Sequence, residues 1–352
     1  MHLDLESINN TPPKVSILLP SLNTFPFLAE RLDTILSQTL NDWELVVVDS
    51  YSDDGSWELI QTYANKDSRI YATQAPREGV YAGINRCLSQ AHGEYVYIAT
   101  SDDTMTSDCL EKMVAALESQ PNCDIAHCCL NIIDETGQQT RKQWNTWDKI
   151  KFFGEYINQQ HIRLAPYDGI LYCALGTMYS SLTQLLIRRN FFEKVGDFRT
   201  DFGSHGDFEW GIRVGLTSNT IHVPYYLATW RVHSKQATQN DFIFSAEGQA
   251  LWCTMIKSAI MGLIDKALLQ ESDLEIRQLT YCYRFKQLLF GLAERSSHPI
   301  KKTIFLIRFS GLYPRVVIHY CWFKLSQQQF NPATYIRNFL AAHNYDRHLV
   351  RS

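Results

Sequence analysis

The sequence predicts an α/β fold: a mostly parallel sheet with helices on both faces, followed by a helical C-terminal extension. Three observations predict it. Between residues 15 and 130, short apolar strand signals alternate with helical periodicities. Clusters of Asp, Ser and Asn follow three of those strand signals, at 20–23, 49–56 and 101–103. From Asp241 onward the chain reads as mainly helical and carries no clear catalytic motif.

The elements follow in order. "VSILLP" (15–20) is a short buried strand, and Leu28, Leu32, Ile35 and Leu36 then mark a helical stripe. "WELVVVDS" (43–50) is a second strand and "GSWELIQTYANK" a helix. "RIYATQ" (69–74) is a strand, "VYAGINRCLSQA" a helix and "YVYIAT" (95–100) a strand. "SDCLEKMVAALES" reads as a helix capped by Ser107 and closed by Pro121, and "CDIAHCCLNII" as a further strand. From 131 to 180 the pattern weakens and aromatics crowd in: Trp144, Trp147, Phe152, Phe153, Tyr156, Tyr167 and Tyr172. "TQLLIRR" (183–189) is a returning strand, "HGDFEWGIRVG" (205–215) a short helix, and "NTIHVPYYLATWRVH" (219–233) a strand, turn and strand.

Composition narrows the class. The chain has 352 residues, 45% of them hydrophobic, enough for one large α/β domain plus an extension or for two domains. Nine cysteines without a repeating spacing point to reduced thiols in the cytoplasm rather than a disulfide framework or a zinc site. "MHLDLESINNTPPK" lacks the layout of a signal peptide, and no uncharged apolar run reaches bilayer-spanning length. The net charge of −4 is unevenly spread: residues 300–352 hold eight Lys/Arg and one acid, Asp346. That basic tail predicts either an anionic surface as partner or a solvated end. There is no GxGxxG after the first strand and no GxxxxGK[ST], against a nicotinamide dehydrogenase and a P-loop nucleotidase.

In open α/β sheets, ligands bind beyond the carboxyl ends of the strands. Asp102 and Asp103 stand together after the "YVYIAT" strand. They read either as a turn and helix cap or as ligands of a divalent cation such as Mg²⁺ or Mn²⁺, which binds through carboxylates and substrate phosphates. Asp49 opens "DSYSDDGS", which is either a plain turn or a carboxylate facing a nucleobase N–H.

Taken in order, "VSILLPSLN", "ELVVVDSYSDDGS", "GVYAGINRCLSQAHGEYVYIATSDD", "GSHGDFEWGIRVG" and "WRVH" resemble family 2 glycosyltransferases of the GT-A fold, across residues 14–235. The resemblance implies a Rossmann-like sheet, and with the polar start and helical end read from the residues it divides the chain. A polar tail covers 1–13. A transferase domain covers 14–240, with a nucleotide-binding half (14–130) and an acceptor half (131–240), and a helical extension covers 241–352. It implies that Pro20, Ser21 and Asn23 line the nucleotide pocket, that Asp49 pairs with the base, usually uracil, and that Asp54 shares that loop. Gly79 and Asn85 would flank the donor sugar. Asp102 would bind the metal, with Asp103 beside it and His233 near the metal and diphosphate. Asp207 would be the general base, with Arg213 following on the same helix toward the donor. The chain departs from the family pattern at Thr100, where a first carboxylate is common, at Ile84, where Arg is frequent, and at Gly206, where Glu is frequent. Glu209 is the nearest rival to Asp207.

The implied reaction is transfer of a sugar from a nucleotide-diphosphate donor, a UDP-sugar first, to a hydroxyl of a saccharide or lipid-linked saccharide. It would be metal-assisted, with inversion at the anomeric carbon. No nucleic-acid partner is expected, and the expected location is the cytoplasm, at the inner face of the membrane. Two other readings compete. A nucleotidylyltransferase would want a glycine-rich basic loop that "LLPSLNTFPF" lacks. A degenerate GT-A fold would serve as a sugar-nucleotide-binding or assembly subunit. The segment "KKTIFLIRFSGLYPRVVIHYCWFK" (301–324) reads equally as a packed helical pair or as an interfacial anchor on anionic lipid.

Overall fold

The computed structural model describes residues 11–234, 246–270, 295–326 and 331–351, with single positions between 281 and 293. Residues 1–10 of the expected tail and 241–245 at the start of the expected extension lie outside the described residues.

The expected alternation is present. Strands β1 (Val15–Ser21), β2 (Trp43–Asp49), β3 (Ile70–Gln74) and β4 (Tyr95–Ile98) are connected by helices α1 (Phe25–Leu36), α2 (Ser56–Ala64) and α3 (Val80–Ser89). Helix α4 (Cys109–Ser119) leads to β5 (Ile125–Ile133). A short helix α5 (Asp148–Lys151), strand β6 (His161–Arg163) and helix α6 (Tyr167–Leu175) follow. Then come β7 (Leu185–Arg188), α7 (Phe191–Val195), α8 (Gly206–Thr217) and β8 (Thr220–Arg231). The extension contains α9 (Ala246–Asp265), α10 (Pro299–Leu312), α11 (Pro314–Leu325), α12 (Pro332–Ala342) and strand β9 (Leu349–Arg351).

One nine-stranded sheet runs β3-β2-β1-β4-β7-β5-β8-β6-β9. β1 to β4 are parallel, while β7 runs antiparallel to both β4 and β5. β1, β2 and β4 are apolar because both their faces are covered: Leu18, Val46 and Ile98 pack on one side, Ile17, Val47 and Tyr97 on the other. Burying each such side chain contributes roughly 1.5–3 kcal/mol before entropy is counted.

Three local expectations change. β8 is one strand rather than two, because Pro224 and Tyr225 sit in a bulge where Cys128 pairs with Val223 and Cys129 with Tyr226. A bulge is where proline, lacking an N–H, fits inside a sheet. Ser107 does not cap α4. Asp108 holds the cap position, and the Ser107 carbonyl instead accepts the Thr39 N–H at 2.8 Å. The extension is not uniform: Ile336, Phe339 and Leu340 of α12 join the main core and β9 pairs with β6, while Phe285, Leu288, Phe309 and Val316 form a separate small core.

The aromatic stretch is mainly interior. Trp144, Phe152, Phe153, Tyr167 and Tyr172 are buried, and Trp144 donates its indole N–H to Ser180 Oγ at 2.9 Å.

Candidate active site

The ends of β1, β2 and β4 lie side by side in the sheet, which gathers the polar clusters that follow them. After β1, Asn23 turns the chain with φ +53°, a left-handed conformation that Asn tolerates. Its amide bridges to the β2 loop: Nδ2 donates to Asp53 Oδ1 at 2.9 Å, and Asp53 N–H donates back to Oδ1 at 3.0 Å. Ser21 is buried, its hydroxyl 3.3 Å from that of Thr24, and Pro20 precedes it half-buried.

Asp49 is fully buried at the end of β2. Its oxygens accept the Ser52 N–H (2.9 Å), the Ser52 hydroxyl (2.5 Å) and the Gln74 amide (3.1 Å). Asp54 lies between two helix N-termini, accepting the Phe25 N–H of α1 and the Ser56 N–H of α2, each at 3.0 Å. Burial works against its charge, yet the bonds from Ser56 and Phe25 hold its carboxyl below the ordinary range. Asp49 and Asp54 therefore order the loop that faces the cleft.

Gly79 opens α3 with φ +95°, a conformation costly for any side chain. Asn85, one helical face further on, holds backbone: Nδ2 donates to the Phe198 carbonyl at 2.8 Å, and Oδ1 accepts the Phe198 N–H at 3.1 Å. It pins the segment before α8 onto α3. The Tyr81 hydroxyl reaches the Ser204 carbonyl at 3.3 Å and strengthens the same seam.

At the end of β4 the two aspartates part. Asp102 is partly exposed, and its Oδ2 lies 3.0 Å from His233 Nε2. Asp103 turns inward, accepting the Thr100 hydroxyl on one oxygen and the Arg231 N–H on the other at 2.7 Å. Burial, then the charge of Asp102, pushes the Asp103 carboxyl up to about 7, while Thr100, Arg231 and the nearby charge of Arg31 pull it back. Thr100, standing where a carboxylate is common in the family, is thus a donor to Asp103.

Two arginines that sequence reasoning did not single out support this corner. Arg231 is buried. Its Nε donates to the Asp102 carbonyl (2.7 Å), Nη1 to the carbonyls of Asp134 (3.2 Å) and Glu135 (3.3 Å), and Nη2 to Glu30 (2.6 Å). Arg31, in α1, is wholly buried, with no hydrogen-bond partner for its three guanidinium nitrogens among the described residues. Arg31 falls three positions after Leu28 on the apolar stripe, a placement that signals burial.

The residues fit a divalent cation held partly by substrate. Donor atoms 3.0 Å apart on Asp102 and His233 match one edge of an octahedron with metal–ligand bonds of about 2.1 Å. Among the described residues no group of three His, Cys, Asp or Glu could hold an ion unaided. Two protein ligands plus phosphates is the usual arrangement for Mg²⁺-type sites.

Asp207 stands half-buried in the first turn of α8, accepting the Phe208 N–H at 2.8 Å. Burial raises its carboxyl above the ordinary range, against the pull of Tyr81, the Phe208 amide and His205. Gly206 precedes it because a Cβ there would meet the Arg199 carbonyl at 2.6 Å and the Tyr81 ring at 2.8 Å. The family's Glu has no room at that position. Arg213 and Glu209 lie in the interior, bonded to each other, and Arg213 also donates to the carbonyls of Val195, Gly196 and Asp197. The structure thus brings Asp102 together with His233, and Asn85 with the segment leading to Asp207. Arg213 is turned away from the cleft.

The model of the family described as Glycosyl transferase family 2 matches residues 16–195. The glycosyltransferase EpsE of Bacillus subtilis is 35% identical over 130 residues, 36% of this chain and 47% of that protein. The chain covers less than half the length of each of the first curated relatives it matches. Among solved structures, S. aureus TarS 1–349 in complex with UDP superimposes with a TM-score of 0.59 at 17% identity, covering 95% of this chain and 89% of that one. The mannosyltransferase PcManGT of Pyrobaculum calidifontis, in complex with GDP-Man and Mn²⁺, gives a TM-score of 0.54 at 17% identity, covering 96% and 86%. At that identity the structural likeness speaks for the fold, and the fold is GT-A.

Proposed function

The chain belongs to glycosyl transferase family 2, and from that premise we propose that it is a glycosyltransferase that moves a sugar from a nucleotide-diphosphate donor, a UDP-sugar first, to a hydroxyl of a saccharide or lipid-linked saccharide, with inversion and with help from a divalent cation. The observation that carries this reading is the pair Asp102–His233, a half-exposed carboxylate and an imidazole 3.0 Å apart at the end of β4.

Asp102 and His233 would hold the cation, Mn²⁺ or Mg²⁺, and bound there it would supply Lewis-acid neutralisation of charge on the diphosphate. Asp103 does not need to ligate: with both oxygens committed, it positions Asp102 and Arg231. Pro20, Ser21, Asn23 and the loop shaped by Asp49 and Asp54 frame the nucleotide. Because Asp49 is enclosed, it meets a base only if the loop around Ser52 shifts on binding. Gly79 leaves space for the donor sugar, and Asn85 fixes the approach of the α8 segment.

Asp207 takes the proton from the acceptor hydroxyl as that oxygen attacks the anomeric carbon from the face opposite the diphosphate. A carboxylate raised by burial is a better base than an exposed one. The proposed location is the cytoplasm, at the inner face of a membrane. A panel of UDP-sugars incubated with Mn²⁺ and no acceptor tests the reading, through release of UDP to water. Absence of both hydrolysis and nucleotide binding across the panel would leave a degenerate fold as the better account.

A further inference from the structure

The extension turns two apolar stripes outward. On α10, Ile300, Ile304 and Ile307 follow one another at helical spacing, and on α11 Ile318, Trp322 and Leu325 do the same. These six side chains are between 47% and 85% exposed. The small core beneath uses the opposite faces, through Phe309 and Val316. The stripes are therefore surplus to the packing of the extension.

The charge around them says what covers them. Lys301, Lys302, Arg308, Arg315 and Lys324 are exposed on the same two helices, and neither helix contains an acidic residue. A second copy of this chain would set those cations against each other across a two-fold contact. An anionic lipid surface accepts both features, apolar groups at the acyl boundary and cations among the headgroups. Trp322 is a residue type favoured at that depth. No helix among the described residues is long and apolar enough to cross a membrane, so the contact lies on the surface.

A second observation points the same way. A cavity of about 820 Å³ opens at the α10–α11 turn, lined by Lys257, Arg284, Arg315, Tyr281 and Tyr313 and, among the described residues, by no acid. The Arg284 guanidinium lies 4.4 Å from the centre of the Tyr313 ring, and its buried Nε has no hydrogen-bond partner among the described residues. Arg315 lines this cavity and sits one turn before Ile318, on the side of α11 that carries the stripe. The cavity mouth and the apolar surface are thus continuous.

We propose that α10 and α11 dock the protein on an anionic phospholipid surface, the stripes resting in the interface and the cavity taking a lipid phosphate. This rests on the reading above only in its purpose, to bring the cleft to a lipid-linked acceptor; the contact itself needs no catalysis. The test is sedimentation of the full chain with sucrose-loaded vesicles of phosphatidylglycerol and phosphatidylcholine, against phosphatidylcholine alone. Each basic residue at such a surface is worth on the order of fivefold in partitioning at low salt. Binding should therefore fall at least tenfold on neutral vesicles, and also in about 0.5 M NaCl, where screening is strong. The double variant Ile307→Glu, Trp322→Glu should lose tenfold or more, while vesicle-free UDP-sugar hydrolysis stays at the parent level and shows that it folds. Arg284→Gln should weaken binding to the acidic vesicles severalfold. Equal sedimentation of parent and double variant, or none by the parent, overturns the proposal. So does a parent dimer that the double variant converts to monomer, which would assign the stripes to self-association. Thermal stabilisation by inorganic phosphate that Arg284→Gln abolishes, with vesicle binding untouched by that change, would give the cavity to a soluble anion instead. A chain that binds vesicles yet hydrolyses no donor would sink the transfer reading and leave this one standing.

Discussion

Arg213 grips Glu209 inside α8: its Nε lies 3.0 Å from each carboxylate oxygen and its Nη2 2.8 Å from Oε2. Both side chains are buried, so this acid braces the helix and is spent. Asp207, one half-turn earlier, keeps its carboxyl at the helix start, which separates two acids that the sequence offers as rivals.

Asp207→Asn should leave donor affinity within a few-fold and cut transfer by roughly 10²–10⁴, the usual contribution of a general base. The parent rate should fall as pH drops through a value above that of an ordinary Asp, because the base must be unprotonated and burial raises it. The variant should lack that limb. A pH profile of kcat/KM checks both. An unchanged profile in the variant would place the base elsewhere.

Glu209→Gln should act on stability first. Removing one member of a buried ion pair strands the other, at a cost of about 3–5 kcal/mol. Chemical denaturation should show that loss, and whatever fraction stays folded should retain its pH profile. Loss of turnover in a variant of parent stability would make Glu209 the base after all.

Arg231→Met should loosen the Asp102–His233 pair without touching it. The guanidinium fastens the Asp102 carbonyl to Glu30 and to the 134–135 turn. Calorimetry should show weaker Mn²⁺-dependent UDP binding, and Asp102→Asn should weaken it further. Metal-dependent affinity equal to the parent's in both variants would remove this corner from the donor site.

Asp49→Asn distinguishes a base contact from a loop brace. The carboxylate accepts three hydrogen bonds, two of them from Ser52. If bracing is its role, the variant should lose affinity for UDP and for GDP by similar factors and lower the melting temperature. A loss confined to uracil nucleotides would show that the loop opens and the base reaches Asp49.

His161 and His222 predict acid sensitivity. Burial first, then the charge of Arg163, brings His161 down to about 4, and burial lowers His222 well below its usual range. Between pH 6.5 and 4 the unfolded chain takes up protons at His161 that the folded chain refuses, so stability falls as pH falls. His161 alone should remove about 2 kcal/mol between pH 7 and 5. Asp103 and Asp207, raised by burial, oppose this slope. The informative comparison is therefore His161→Gln against the parent by denaturant unfolding at both pH values. The variant should show the smaller loss on acidification, and parallel losses would exclude His161.

β1, β2 and β4 were legible because each is a short apolar run, β3 because Ile70, Tyr71 and Thr73 are strand-favouring residues between helices, and Asp102 because it follows β4. What the sequence hides is distance. Asp102 and His233 are 131 positions apart, and only the family resemblance joined them in advance. Nothing in "WRVH" marks Arg231 as buried; Asp102 and Asp103 after β4, Glu30 of α1 and the turn at 134–135 enclose it. Pro224 suggested a break because a ladder cannot use its missing N–H, and the bulge absorbs that fault instead. Arg213 reads as a cleft residue from its motif, but helical spacing from Glu209 puts it inside.

Strand β9 closes one edge of the sheet, and the bond from the Leu164 N–H to the His348 carbonyl extends that seam. The neighbouring bond between His348 Nδ1 and the Ala165 carbonyl spans 183 positions of chain. During synthesis β6 must therefore wait, with one side unpaired, until the residues up to Arg351 have left the ribosome. An open edge of this kind recruits strands from other chains. The entropy of closing so long a loop grows only slowly with its length, so delay rather than energy is the hazard. Aggregation of nascent chains, more than instability of the folded sheet, is the consequence this short strand guards against.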